Sequence, residues 1–91
     1  MLEPLRKNKF KKDVELLKKR GRKMKKLRDV MCWLIDEKPL GKKYMPHKLQ
    51  GEYAGCIECH VEPDWLLIYL IDGDENKITF IRTGTHSDLF K

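Results

Sequence analysis

Three histidines and one turn carboxylate are the side chains of this 91-residue sequence best suited to move protons. His47, His60 and His86 are all the histidines in the chain, and Asp64 follows His60 by four positions. Imidazole has a reference pKa of about 6.5, so two histidines can serve as general base and general acid at neutral pH. Arg82 could clamp a phosphate by paired hydrogen bonds. Together these residue types suit cleavage of a phosphodiester bond in RNA.

That reaction asks for little besides proton transfer, because the ribose 2′-hydroxyl is an internal nucleophile. The protein must remove the hydroxyl proton, neutralise the charge that develops on phosphorus, and protonate the 5′-oxygen that leaves. Aromatic side chains that stack on bases would help to hold the strand in line. Trp65, Tyr69 and Phe90 could stack in this way, and Trp65 and Tyr69 are equally compatible with a buried core.

The segment GCIECHVEPDW, residues 55–65, also contains the C-x-x-C-H spacing of a c-type haem attachment site. Alternation of apolar and polar residues in this segment predicts a strand instead. Cys56 and Cys59 would then point to opposite faces, which argues against both the haem geometry and a zinc knuckle. We therefore expect no cofactor and no metal, with Cys59 in the core and Cys56 half exposed.

The spacing of apolar residues predicts two helices followed by a sheet. The first helix covers about residues 9–20 with Gly21 as its stop, and the second covers residues 24–36. A loop rich in Gly, Lys and Pro fills residues 38–51. Strands are expected over residues 53–61, 65–71 and 77–82, with an edge strand over residues 2–7. The predicted class is α+β, a single domain over residues 1–91 with a helical hairpin on one face of a mainly antiparallel sheet.

The charge is unevenly distributed along the chain. Residues 6–28 carry thirteen Lys or Arg against two acidic residues, whereas residues 52–91 carry three basic residues against eight acidic ones. So dense a basic block favours a surface that contacts phosphates over a merely solvated helix face, and it suits a large RNA target. No segment reaches the roughly 18 to 20 apolar residues that a membrane-spanning helix needs, and no secretory signal is present. We expect a cytoplasmic protein.

Three motifs carry a resemblance to a known family. They are H-x-L-x-G from His47, H-V-E-P-D-W from His60, and R-T-G-T-H-S-D-L-F from Arg82. In combination they resemble the YafQ branch of the RelE-type toxins of bacterial toxin–antitoxin systems. The helical hairpin with KDVELLKKRG agrees in order and length, so the resemblance covers nearly the whole chain.

The resemblance implies an endoribonuclease that enters the ribosomal A site and cuts translated mRNA without a metal. It also implies a cognate antitoxin with an acidic binding segment, and a toxin–antitoxin hetero-oligomer that binds operator DNA. The implied RelE-like fold is a small curved sheet with two N-terminal helices on its convex face. His86 would be the proton donor, with His60 or Asp64 as the base. The implied catalytic residues are His47, His60, Asp64 and His86, and the implied substrate-binding residues are Trp65, Arg82, Phe90 and Lys48.

Two details of the sequence bear on this interpretation. Many relatives carry Arg at the position of Ile57, and its absence removes one candidate phosphate clamp, which would weaken activity or shift phosphate binding to Arg82 or Lys48. Arg82 also shares strand parity with Ile78 and Phe80, which are expected in the core, so a twist or bulge near the strand end must turn it toward the cleft. Two other classes remain open, a non-catalytic RNA- or ribosome-binding module and a ParE-like toxin that acts on DNA gyrase. The histidine-containing motifs disfavour both.

Overall fold

A helical layer and a five-stranded sheet form the computed structural model, which describes residues 1–90. In chain order the elements are β1 Glu3–Arg6, α1 Asn8–Lys19, α2 Met24–Ile35, β2 His47–Lys48, β3 Ile57–Glu62, β4 Trp65–Asp72, β5 Lys77–Gly84 and α3 His86–Leu89. Short 3₁₀ turns at Lys42–Tyr44 and Gly51–Tyr53 flank β2. None of the helices within residues 1–90 is long and apolar enough to cross a membrane.

The sheet has the strand order β1-β5-β4-β3-β2, with the apolar strand β4 at its centre. β1 pairs with β5 in parallel, and all the other neighbouring strands are antiparallel. The predicted α+β class and the N-terminal edge strand are therefore confirmed. A hairpin loop joins the antiparallel neighbours β4 and β5, and in it the Asp72 carboxylate accepts hydrogen bonds from two backbone amides.

The two long helices bury their apolar stripes against one face of the sheet. Phe10 and Leu17 of α1 and Leu34 of α2 are almost fully buried, next to Leu67 and Phe80 of the sheet. α1 ends one residue earlier than predicted, and the chain then turns through a glycine with a left-handed backbone. Glycine adopts that conformation without a steric clash because it has no Cβ, which explains why the helix ends at this position.

A second, smaller apolar cluster covers the other face of the sheet, and the two cysteines divide between the faces. Cys59 packs in the helix-side core, whereas Cys56 packs against Leu66 and Ile68 on the far side. The predicted opposition of the two thiols is confirmed. Cys56 is nevertheless buried and not half exposed as predicted, because Leu89 also covers it. Burial raises the pKa of both thiols, that of Cys59 to about 12.

Three local predictions were wrong. The strand predicted from residue 53 begins at Ile57, because the 3₁₀ turn at Gly51–Tyr53 and a left-handed Gly55 bend the chain first. Tyr53 consequently packs with the far-side cluster instead of sharing the face of Ile57. The predicted loop at residues 38–51 contains the short strand β2, and α3 was not predicted.

Candidate active site

The three histidines come together on the sheet face opposite α1 and α2. His47 on β2 pairs in register with Glu58 on β3, and His60 lies two residues further along on the same face. His86 is the first residue of α3. The ring of His60 lies between the other two, with ring centroids 6.5 Å from His47 and 6.4 Å from His86. We call these residues and Glu58 the imidazole cluster.

Glu58 is the one member of the imidazole cluster that is not among the site residues predicted from the sequence. It is only 3% exposed, and its Oε2 lies 3.0 Å from His47 Nε2 and 4.0 Å from His60 Nε2. Its other oxygen, Oε1, is buried without a hydrogen-bond partner among the described residues. A buried polar atom left unpaired is costly and rare in folded proteins, so it calls for a functional explanation. Its shared strand parity with His60 is the sequence signal that could have identified it.

Both ring nitrogens of His47 face oxygen acceptors. Nδ1 lies 2.9 Å from the backbone carbonyl of Met45, and Nε2 lies 3.0 Å from the Glu58 carboxyl. These two contacts orient the His47 ring between the chain at Met45 and the Glu58 carboxyl group of β3.

His60 has the opposite arrangement and presents a free nitrogen to the cluster. Its side chain is only 14% exposed, and Nδ1 lies 3.2 Å from the backbone carbonyl of Pro63. A carbonyl accepts only, so this contact places the proton of the neutral ring on Nδ1. The lone pair then lies on Nε2, which faces Glu58 at a distance too long for a hydrogen bond. His60 is thereby prepared to accept a proton at Nε2.

His86 begins α3 and Phe90 directly follows it, at the open side of the cluster. Both are exposed, and their rings lie 5.8 Å apart between centroids. Phe90 also makes a T-shaped contact with Tyr53 at 6.0 Å, and it remains 43% exposed. The structure therefore brings the predicted residue His86 beside His60, and Phe90 beside His86.

The bulge that Arg82 requires is present. Ile68 of β4 pairs with Arg82, whereas the next residue of β4 pairs with Phe80, so β5 contains one extra residue between them. A bulge of this kind reverses the side-chain alternation beyond it. Arg82 consequently leaves the face of Phe80 and shares the face of Ile68, as predicted.

Arg82 already has hydrogen-bond partners within the protein, however. Its Nε and Nη2 donate to the two carboxylate oxygens of Asp13 at 2.7 and 3.1 Å, and Nη1 lies 3.4 Å from the Tyr53 hydroxyl. The Asp13 carboxylate also accepts a hydrogen bond from the Thr83 backbone amide. These contacts raise the pKa of Arg82, chiefly through Asp13. α1 therefore already supplies a carboxylate partner for Arg82, and phosphate binding by this residue stays a prediction.

Trp65 is a core residue, contrary to the expectation that it stacks on RNA. Its side chain is fully buried, and Nε1 donates to the Thr83 hydroxyl at 2.9 Å. That hydroxyl in turn donates to the carbonyl of Leu66 at 2.8 Å. The guanidinium of Arg22 covers the indole from outside, 5.7 Å from the ring centroid. No face of the ring remains open to a base.

Replacement of Trp65 by phenylalanine should therefore affect stability and not RNA affinity. We expect Trp65→Phe to lower the free energy of unfolding by about 1 to 2 kcal/mol, through lost volume and the lost hydrogen bond from the indole to the Thr83 hydroxyl. Urea denaturation measures the change, with Trp33→Phe as the matched control because Trp33 is 44% exposed and bonds a carbonyl. A weaker RNA complex with unchanged stability would contradict this assignment.

Three other predicted positions lie outside the imidazole cluster. Asp64 occupies the exposed turn between β3 and β4, and no hydrogen bond or ion pair joins it to a histidine within residues 1–90. Lys48 is exposed but pairs in register with Ile57, so it leaves β2 on the side opposite His47. Ile57 packs against the helix-side core. An arginine in its place would also face away from the histidines, so its absence removes no clamp from the cluster.

The basic block is partly neutralised by acidic residues of the sheet and of α3. Arg20 pairs with Asp88, and Arg22 and Lys26 share Glu62 at 3.2 and 2.7 Å. The hydrogen bond from Lys26 is the largest cause of the lowered pKa of Glu62. The lysines Lys18, Lys19 and Lys23 are exposed and make no ion pair with the sheet among the described residues. They are among the accessible residues of the block.

Comparison with known proteins first places the chain in a class. Residues 2–91 match the sequence model of a family described as the bacterial toxin of type II toxin–antitoxin systems, YafQ. The chain therefore belongs to the YafQ family of type II toxins, and the resemblance seen in its motifs is confirmed.

Individual relatives agree with this assignment. The mRNA interferase toxin YafQ of Escherichia coli K12 is 45% identical over 82 residues, covering 89% of this chain and 87% of that protein. In the solved Escherichia coli DinJ–YafQ complex, the matched chain has a TM-score of 0.91 and 40% identity, with both chains covered completely. The metal-bound toxin from Helicobacter pylori has a TM-score of 0.92 and 42% identity, covering 99% of this chain and 100% of that one.

Proposed function

We propose that this protein is a ribosome-dependent endoribonuclease that cuts translated mRNA by general acid–base catalysis in the imidazole cluster. The observation that carries the proposal is the proximity of two histidines that lie in different environments, one mostly buried and one exposed. His60 Nε2 makes no hydrogen bond among the described residues and lies on the sheet face opposite α1 and α2. The exposed His86 lies next to it, with 6.4 Å between the two ring centroids. A base and an acid on either side of one phosphodiester are what this cleavage requires.

The reaction assigns one proton transfer to each of these residues. His60 Nε2 takes the proton of the ribose 2′-hydroxyl as a bond forms between the 2′-oxygen and phosphorus. The bond from phosphorus to the 5′-oxygen breaks, and protonated His86 gives its proton to that oxygen. The products are a 2′,3′-cyclic phosphate and a free 5′-hydroxyl, so atoms and charges balance.

Glu58 supports His60 electrostatically in this scheme. Its Oε2 lies 4.0 Å from His60 Nε2, so the imidazolium that forms during the reaction faces a buried carboxyl group. His47 fixes that carboxyl by a 3.0 Å contact. We assign no proton transfer to Asp64, which lies in the turn outside the cluster. With Arg82 held by Asp13, protonated imidazoles carry the main charge opposite the phosphate.

The imidazole cluster also weighs against the two alternative classes. A non-catalytic ribosome-binding module or a gyrase-directed toxin has no use for a base and an acid on one sheet face. The relationship to a protein named mRNA interferase toxin supports the same choice.

The chemistry is tested by placing a single 2′-deoxynucleotide immediately 5′ of a mapped cut in an mRNA bound to ribosomes. We expect the substitution to abolish that cut and to leave cuts at other codons unchanged. The normal products should carry 2′,3′-cyclic phosphate and 5′-hydroxyl ends. Cleavage of the deoxy-substituted position, or a 5′-phosphate on the product, would refute the proposed nucleophile.

The accessible lysines are proposed to contact ribosomal RNA. Reversal of Lys18, Lys19 and Lys23 to glutamate should raise the dissociation constant of the ribosome complex and reduce its salt slope by about 0.7 to 0.9 per lost phosphate contact. Binding titrations at several salt concentrations measure both quantities. Lys77→Glu is the control, because it reverses one charge on β5 outside the basic block. An unchanged salt slope in the triple variant would contradict this role.

The partner proposed for the resting state is an antitoxin with an acidic amphipathic segment. A groove of about 530 Å³ between α1 and α2 has an apolar floor that includes Val14, Leu27 and Met31. Its rim carries four basic residues and one acidic residue: Arg6, Lys11, Lys18, Arg28 and Glu15. An apolar floor with a basic rim complements an acidic helix. The complex of the Escherichia coli relative with DinJ supports an antitoxin partner, and operator DNA binding by the complex remains a prediction.

A further inference from the structure

The helix that carries His86 is too short to hold its own shape. α3 has four residues, whereas isolated helices need about 12 to 15 residues to be even marginally stable in water. Its position must therefore be fixed by contacts with other elements. Leu89 supplies one anchor through burial in the far-side cluster, and the Asp88 carboxylate supplies another.

Asp88 first closes the N-terminus of α3. Its backbone amide donates to the Thr85 hydroxyl at 3.1 Å, and its carboxylate accepts from the Thr85 backbone amide at 2.9 Å. This reciprocal capping box holds the residues on either side of His86. A Cβ at Gly84, where φ is +155°, would lie 2.9 Å from the Asp88 carboxylate. The chain therefore approaches the carboxylate so closely that only glycine fits.

Arg20 then holds the same carboxylate from the opposite side of the sheet. Its Nη1 and Nη2 donate to the two oxygens of Asp88 at 2.7 and 3.2 Å, across 68 positions of sequence. Arg20 caps the C-terminus of α1, and it can reach Asp88 because β1 pairs with β5 only as far as Phe80. The pKa of Asp88 lies well below its usual range, chiefly because of Arg20. The carboxylate is thus ionised throughout the neutral pH range.

We propose that Arg20 is a positioning residue for RNA cleavage, which sets His86 against His60 by clamping Asp88 of α3. The inference rests on the proposed function, since it assigns Arg20 a role through the proposed acid. Arg20 acts through a two-pronged ion pair, so both its charge and the fork of its guanidinium matter. Its side chain is 42% exposed but its guanidinium is paired with Asp88, so the proposal assigns it no direct RNA contact.

The kinetic test compares single-turnover cleavage by Arg20→Ala, Arg20→Lys, Asp88→Asn and the Arg20→Ala/Asp88→Asn double variant. We expect Arg20→Ala to lower kcat by about ten- to one-hundred-fold, because a small displacement of a reacting group is costly, with KM unchanged. Arg20→Lys should recover part of kcat, since an ammonium group can donate to the carboxylate without the paired geometry. The double variant should lose no more of kcat than Arg20→Ala alone, because both substitutions break the same contact between Arg20 and Asp88.

Lys77→Ala is the charge-matched control, and it should leave kcat and KM unchanged. A raised KM with normal kcat in Arg20→Ala would mean that Arg20 binds RNA directly, and would overturn the inference. Equal losses in Arg20→Ala and Lys77→Ala would overturn it as well, because net charge would then explain both.

A spectroscopic readout separates this inference from the proposed function. NMR of the free protein should show a shifted His86 ring resonance and faster amide exchange at Leu89 and Phe90 in Arg20→Ala, with β4 amides unchanged. If those changes appear but the wild-type protein cuts no RNA, the proposed function fails and the clamp stands. If the His86 ring and the α3 amides are unaffected, the clamp is wrong whatever the activity.

Discussion

His86→Ala should reduce the rate of mRNA cleavage by about 10²- to 10⁴-fold, the range expected for loss of a general acid. The 5′-oxygen then leaves without a proton donor, since His60 is occupied by the proton of the 2′-hydroxyl. Ribosome affinity should stay unchanged, because His86 lies on α3 and the proposed ribosome contacts lie on and just after α1. Single-turnover cleavage and ribosome co-sedimentation measure the two quantities on the same preparation.

Ser87→Ala is the matched control for this experiment. Ser87 is exposed on the same short helix and makes no side-chain hydrogen bond within residues 1–90. Its substitution therefore tests whether any change in α3 is enough to slow cleavage. We expect wild-type cleavage from this variant. Wild-type cleavage by His86→Ala would show that His86 is not the proton donor.

Glu58→Gln should separate activity from stability. The substitution keeps the shape of the side chain and removes the carboxyl group that faces the His60 imidazolium, so cleavage should fall by about 10²-fold. The free energy of unfolding should stay the same or rise by about 1 kcal/mol, because an amide satisfies a buried position with less desolvation than an unpaired carboxylate oxygen. Urea denaturation and single-turnover kinetics measure the two effects.

The control for this substitution is Glu52→Gln, which changes an exposed carboxylate in the 3₁₀ turn before β3. It should alter neither cleavage nor stability. If Glu58→Gln is destabilised and fully active, the carboxyl group is structural and the support assigned to His60 is wrong.

Strand parity was the most reliable guide to the site before the structure was known. It separated Cys56 from Cys59, and it identified the need for a bulge before Arg82, which the register of β4 and β5 confirms. Both conclusions depend only on the two-residue period of an extended chain, which local sequence determines. The same two-residue period places Glu58 on the sheet face of His60, so the position of this carboxyl group is also encoded locally.

Long-range ion pairs were beyond the reach of the sequence. Arg20, Arg22 and Arg82 all lie in regions that suggested phosphate contacts, yet each is bonded to a carboxylate at least 40 positions away. Which acidic residue meets which arginine depends on how helices and strands pack, and no local pattern encodes that. α3 was missed because four residues cannot show helical periodicity, even though Thr85 and Asp88 have the spacing of a capping box.

The central claim is that this chain cuts mRNA only while the mRNA is being translated. Primer extension on an inducible reporter, with a matched reporter whose start codon is removed, tests it most directly. We predict cuts within codons of the translated reporter, none in the untranslated copy, and none in either when His86→Ala is expressed. Equal cutting of the two reporters by the wild-type chain, or no cutting of either, would contradict the account.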